Sequence, residues 1–209
     1  YIAAITFLPA EVSSLRFDVT NQRAVDWLRE NSARMVAEVS DETQSAIRNV
    51  INRSFNEGIT PAKAARLIKD LVGLTDRQAI AVERYREMLL SENRKVDQVE
   101  RMTAAYANRQ LNYRAMNIAR TETINASASG QTLLWQDGIR DGQLSDQRTR
   151  KQWVVTPDDR LCLACSEIPG MNPEGRRISE VFETPLGPRM NPGLHPSCRC
   201  SQSLFFLRK

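Results

Sequence analysis

Between residues 20 and 137 apolar positions recur every three to four residues, and the residues between these stripes fit helix ends. Thr20 is placed to cap a helix carrying Ala24, Trp27, Leu28, Met35, Val36 and Val39. Ser40 or Asp41 starts a second, with Ile47, Val50, Ile51 and Phe55 on one face and Gly58 closing it. Thr60-Pro61 opens a third by placing proline in the first turn; its stripe is Ala64, Ala65, Ile68 and Leu71, ended by Gly73. Thr75 with Gln78 reads as a capping box for a fourth helix through Ile80, Val82, Tyr85, Met88 and Leu89. The polar stretch 91–110 continues that helix as an exposed arm, or forms a hinge. A last helix covers 111–136, with Ile118, Ala119, Ile124, Ala128 and Leu133.

The pattern changes at Gly138. Residues 20–137 hold three Gly and one Pro, whereas residues 138–209 hold six Gly and seven Pro. The second stretch therefore reads as a loop-rich module with short strands, the last of them at Ser203–Leu207. The expected organisation is an N-terminal arm at 1–19, a mainly α-helical region at 20–137 and a small α+β module at 138–209. Because the sequence opens on Tyr1 rather than Met, it reads as part of a longer chain. No apolar run reaches 18 residues, so no membrane span is expected, and residues 1–10 lack the basic start of a secretory signal.

Composition narrows the class. With 41% apolar and 26% charged residues among 209, the chain has the means to build a core and is not a disordered polymer. Residues 1–100 carry 14 Lys+Arg against 15 Asp+Glu, a balance of −1. Residues 101–209 carry 15 against 10, a balance of +5, and Arg outnumbers Lys 24 to 5 overall. Guanidinium suits bidentate contacts to phosphate. Arg148, Arg150 and Lys151, clustered near Trp153, are the candidate surface for sequence-independent contact with double-stranded DNA.

The four cysteines all lie in the last 48 residues, as Cys162-x-x-Cys165 and Cys198-x-Cys200, alongside the one histidine, His195. Without an export signal, disulfides are not the expected use of these thiols. Two thiolates on a tight turn, answered about 30 residues later by His195-x-x-Cys198, have the spacing of a tetrahedral zinc site. The favoured ligands are Cys162, Cys165, His195 and Cys198. Cys200 is the alternative, pointing away if 198–200 already belongs to a strand. Such a zinc would be structural, since four protein ligands leave no open position, and it would stabilise a module poor in regular structure. A single histidine cannot serve as both general base and metal ligand of a His-metal nuclease. No phosphate-binding loop, dinucleotide turn or nucleophile elbow is present. Arg120 and Glu122 are read as members of a buried polar network, and Asp158-Asp159 as turn formers.

Taken together, ARTET at 119–123, Gly130, Lys151-x-Trp153 followed by TPDDRLCLAC, and HPSCRC at 195–200 resemble the Mu F-like minor head proteins of tailed phages, the head-morphogenesis family. The upstream segments WLRENSARMVAEVSDET, IRNVINRSFNEGIT and RLIKDL agree, so the resemblance spans roughly residues 20–204. It implies a non-enzymatic, low-copy component of the phage head interior, present in the host cytoplasm during assembly. Its partners would be the portal protein, capsid or scaffold protein, and packaged DNA. Many members keep the closing Cys-Arg-Cys but lack the CxxC, so zinc would belong only to the subset with both. The alternative function is a zinc-module DNA-binding protein or a nuclease unrelated to the virion.

Overall fold

The computed structural model describes residue 36 and residues 39–207; the helix expected from Thr20 and the arm at 1–19 lie outside the described residues apart from Val36 and Val39. In order, the elements are α1 (Asp41–Asn56), α2 (Pro61–Lys69), α3 (Asp76–Ser91), α4 (Val96–Arg140), β1 (Thr149–Val154), α5 (Leu163–Met171) and β2 (Ser201–Phe206). They group into a helical unit ending at Glu122 and a second unit beginning at Thr123. That division falls inside α4, upstream of the Gly and Pro enrichment that starts at 138.

The helical unit follows its local signals. Ser40 caps α1 by accepting the Thr43 N–H at 3.3 Å, with Asp41 and Glu42 in the first turn where the helix dipole favours anions. Gly58, past the end of α1, takes a left-handed φ of +63°. Pro61 stands in the first turn of α2. At α3 the capping box is complete: Thr75 accepts the Gln78 N–H and the Gln78 side chain accepts the Thr75 N–H. One core packs Ile47 and Ile51 of α1, Ala64, Ala65 and Ile68 of α2, and Ala115 and Ala119 of α4. Val82, Leu89 and Val99 are also buried, and Tyr85 packs on Tyr106 at a 4.7 Å centroid distance.

The polar stretch 91–110 does not continue the fourth helix. After Ser91 the chain turns, with Asn93 at φ +52°, and α4 then runs without a break from Val96 through the expected 111–136 helix. Asn tolerates the left-handed region because its short polar side chain bonds locally, so the reversal needs neither Gly nor Pro. Among the described helices none is long and apolar enough to cross a membrane.

The second unit contains a two-stranded antiparallel sheet, β1 on β2, with Thr149 opposite Phe206 and Val154 opposite Ser201. Alternation along β1 buries Thr149, Lys151 and Trp153 on one face. Trp153 meets Phe182 edge-on at 5.3 Å. That cluster also holds Cys165, Ile168, Leu194, Cys198 and Cys200. Trp135 of α4 packs with Leu144 and Ile178. Polar ties complete the unit: Gln202 donates to the Ala128 carbonyl at 2.6 Å, and Asn191 joins Thr132 and Ser129. Gly193, at φ +115°, leaves no room for a Cβ, which would stand 1.9 Å from Asn125 Oδ1.

Candidate metal centre

The segment Cys162–Cys165 is not a bare turn. Cys162 is the N-cap of α5, and its sulfur accepts the Cys165 N–H at 3.4 Å. Sequence reasoning missed this helix because Pro169 and Gly170 fall within nine residues. The return pair is built by a turn with Pro196 at its second place and Ser197 at its third, where φ is +58°. The Cys198 N–H donates to the His195 carbonyl at 3.1 Å, closing that turn.

These two segments meet. His195 Nε2 lies 3.2 Å from Cys162 Sγ and 3.3 Å from Cys165 Sγ, and Cys165 Sγ lies 3.8 Å from Cys198 Sγ. With Zn–S near 2.3 Å and Zn–N near 2.0–2.1 Å, the edges of a tetrahedral site are about 3.8 Å between sulfurs and about 3.6 Å between sulfur and nitrogen. The observed separations fall close to those edges and far from a disulfide bond; all four cysteines are free thiols. His195 Nδ1 sits 2.9 Å from the Pro196 carbonyl oxygen, which can only accept. In the neutral ring Nδ1 therefore carries the hydrogen, and Nε2 presents its lone pair to the sulfurs, the arrangement a metal-binding histidine needs.

Five donors gather in all. Cys162, Cys165 and His195 form one close group and Cys165, Cys198 and Cys200 another, so Cys165 belongs to both. Cys200 does not point away as the sequence suggested: β2 begins only at Ser201, and Cys200 remains with Cys165 and Cys198. These residues can hold a metal ion. The Cys200 thiol donates to Cys198 and pushes it down to about 4, assisted by the Cys200 and Leu194 N–H groups; the same contact pushes Cys200 up. Burial pushes Cys165 up, to about 12. For Cys162 burial also opposes ionisation, but the Cys165 N–H and His195 outweigh it and the net shift is down. The Trp153 indole N–H, otherwise orphaned in the core, acts on Cys200 in favour of its thiolate. A cavity of about 30 Å³, with room for a single small ion, opens at Cys162, Cys165, His195 and Cys200.

The remaining candidates divide. Lys151 is fully buried: its ammonium donates to the Met190 carbonyl at 2.7 Å, lies 3.2 Å from the Met190 sulfur and stands 4.9 Å over the Phe182 ring. It cannot reach DNA phosphates. Arg150 is half-buried and donates to the Asp146 and Thr149 carbonyls; Arg148 is exposed and donates to Leu207. Glu122 is buried while Arg120, two residues earlier on α4, is exposed, so the two do not share one buried network. Asp158, read from the sequence as a turn former, also grips Arg199 through both guanidinium NH groups, which hold its carboxyl down at about 2. The available signal was an arginine set between two candidate ligands with an acid four residues before the CxxC. Compared with family models, curated proteins and solved structures, the chain matches none.

Proposed function

We propose that the chain is a minor head protein of a tailed phage, acting by assembly at the portal vertex rather than by catalysis, with a structural zinc ion closing its second unit. The observation that carries this reading is the convergence of CLAC and HPSCRC, two motifs on which the family resemblance rests, into two donor groups that share Cys165. In this reading Cys162, Cys165, His195 and Cys198 hold the ion, and Cys200, which donates to Cys198 and lines the cavity, is the alternative ligand. Zinc suits this set because thiolate and imidazole are its preferred ligands, and a closed shell gives folding energy rather than chemistry.

The expected partners are the portal protein, with capsid or scaffold protein around it, and packaged DNA bound without regard to sequence. With Lys151 buried, the proposed DNA contact rests on Arg148 and, more weakly, Arg150. The deciding experiment is co-purification with the portal protein from procapsids, repeated in isolation with portal protein alone. Retention on portal rings is expected, together with DNA binding that weakens as salt rises. A chain that enters no procapsid and does not bind the portal ends this reading.

A further inference from the structure

We infer that Asp158 and Arg199 form a latch across the mouth of the metal cavity, tying the two ligand-bearing segments together and setting how fast the ion leaves. This inference rests on the zinc reading above.

Arg199 stands between Cys198 and Cys200, and its guanidinium takes the Asp158 carboxylate with both NH groups, one of them at 2.6 Å. Two further bonds support the pair, the first local to the leading segment and the second joining the two stretches of chain. Asp158 Oδ1 accepts the Arg160 N–H at 3.0 Å, and Thr156 Oγ1 donates to the Arg199 carbonyl at 3.2 Å. Thr156, Arg160 and Arg199 line the cavity together with Cys162, Cys165 and His195. The residues leading into the first ligand pair are thus strapped to the residue separating the last two cysteines.

An isolated exposed ion pair contributes little, but a bidentate pair backed by a network has fixed geometry and greater strength. For an ion to depart, the 158–165 and 195–200 segments must separate, and the pair must open with them.

Charge alone and the latch part company at one substitution. A carboxylate beside the site attracts the cation, so removing the Asp158 charge loosens the site under either account. Arg199→Lys keeps the charge, so charge alone forecasts an unchanged release rate there, whereas the latch forecasts a faster one.

The test follows zinc release from the full chain to a chromogenic chelator for wild type, Asp158→Asn, Arg199→Lys and the exchanged pair Asp158→Arg/Arg199→Asp. Lysine keeps the charge but loses the fork. At unchanged stoichiometry, both single variants should release zinc about threefold to tenfold faster, and the exchanged pair should restore most of the loss. Raising salt from about 0.05 M to about 0.5 M should speed release from wild type but not from Asp158→Asn. Asp158→Asn or Arg199→Lys releasing at the wild-type rate or more slowly overturns the latch while leaving the zinc centre standing. A wild-type chain that holds no zinc overturns both. Should Asp158→Asn fail to load, Arg199→Lys and the wild-type salt dependence decide, and a rate indifferent to both overturns the latch.

Discussion

The helical unit and the second unit are held by different means. In the first, Ile47, Ile51 and Ile68 are fully buried against alanines of α2 and α4, and the starts of α1 and α3 are closed by neighbouring side chains. Its information is local, and its stability comes from apolar surface removed from water. Beyond the end of α4, the described residues of the second unit form one short helix and two six-residue strands, and between Asn172 and Cys200 the chain forms no regular element. It relies on contacts between residues far apart in sequence: Gln202 to Ala128, Asn191 to Thr132, and the donors of the CxxC to those of the HPSC turn. A unit built this way has few fallback contacts if one tie is cut, whereas the helical unit loses stability by degrees.

Cutting the central tie gives the largest effect. Cys165 is shared by both donor groups, so Cys165→Ser should abolish metal binding and unfold the second unit, while the helices ending at Glu122 persist. Elemental analysis should give about one zinc per wild-type chain and none for the variant. Emission from Trp135 and Trp153, both buried in the second unit, should shift to the red while most far-ultraviolet helix signal remains. Loss of the helix signal as well would show that the units do not stand apart. Cys200→Ser, by contrast, should keep the metal.

The complementary cut is smaller. Ile51→Ala leaves a cavity in the helical core and should cost about 2–5 kcal/mol there, with zinc content unchanged. Chemical denaturation followed by circular dichroism measures the first quantity, and metal analysis the second. A variant that loses zinc along with helix stability would contradict the comparison.

The same division explains what could be read from the sequence. Ser40, Pro61 and the Thr75–Gln78 box are short-range signals, and each stands at the helix start it marks. The stretch 91–110 reads as either an arm or a hinge, and the position of the break after Ser91 is not legible because an asparagine, not glycine or proline, takes the left-handed turn. The donor residues were legible from their spacing alone. Their grouping was not, because whether Cys200 faces the cluster depends on where β2 begins, which pairing with β1 decides. Lys151 was misplaced on the surface although the strand period held the answer: two residues before Trp153, it shares the buried face.

That buried ammonium supplies the smallest test, and one confined to the second unit. Burial pushes Lys151 down to about 8 from an ordinary 10.5, with Glu180 partly opposing the shift. Between these two values the unfolded chain binds more protons than the folded one, so stability rises with pH across the window. The cost of keeping the charge buried is fully present below pH 8 and is gone above the unfolded value; it amounts to roughly 3 kcal/mol at most. The Met190 carbonyl and the Phe182 ring recover part of it by holding the ammonium in place. Lys151→Met keeps the length and apolar stem but removes the proton, and so should flatten this slope. The measurement is the denaturation midpoint of the second unit, followed by tryptophan emission from pH 7.5 to 10.5, in wild type and variant side by side. Titrating thiols contribute equally to both proteins, so only the difference between the two slopes reports on Lys151. Parallel slopes would mean that the ammonium keeps more water around it than its burial implies.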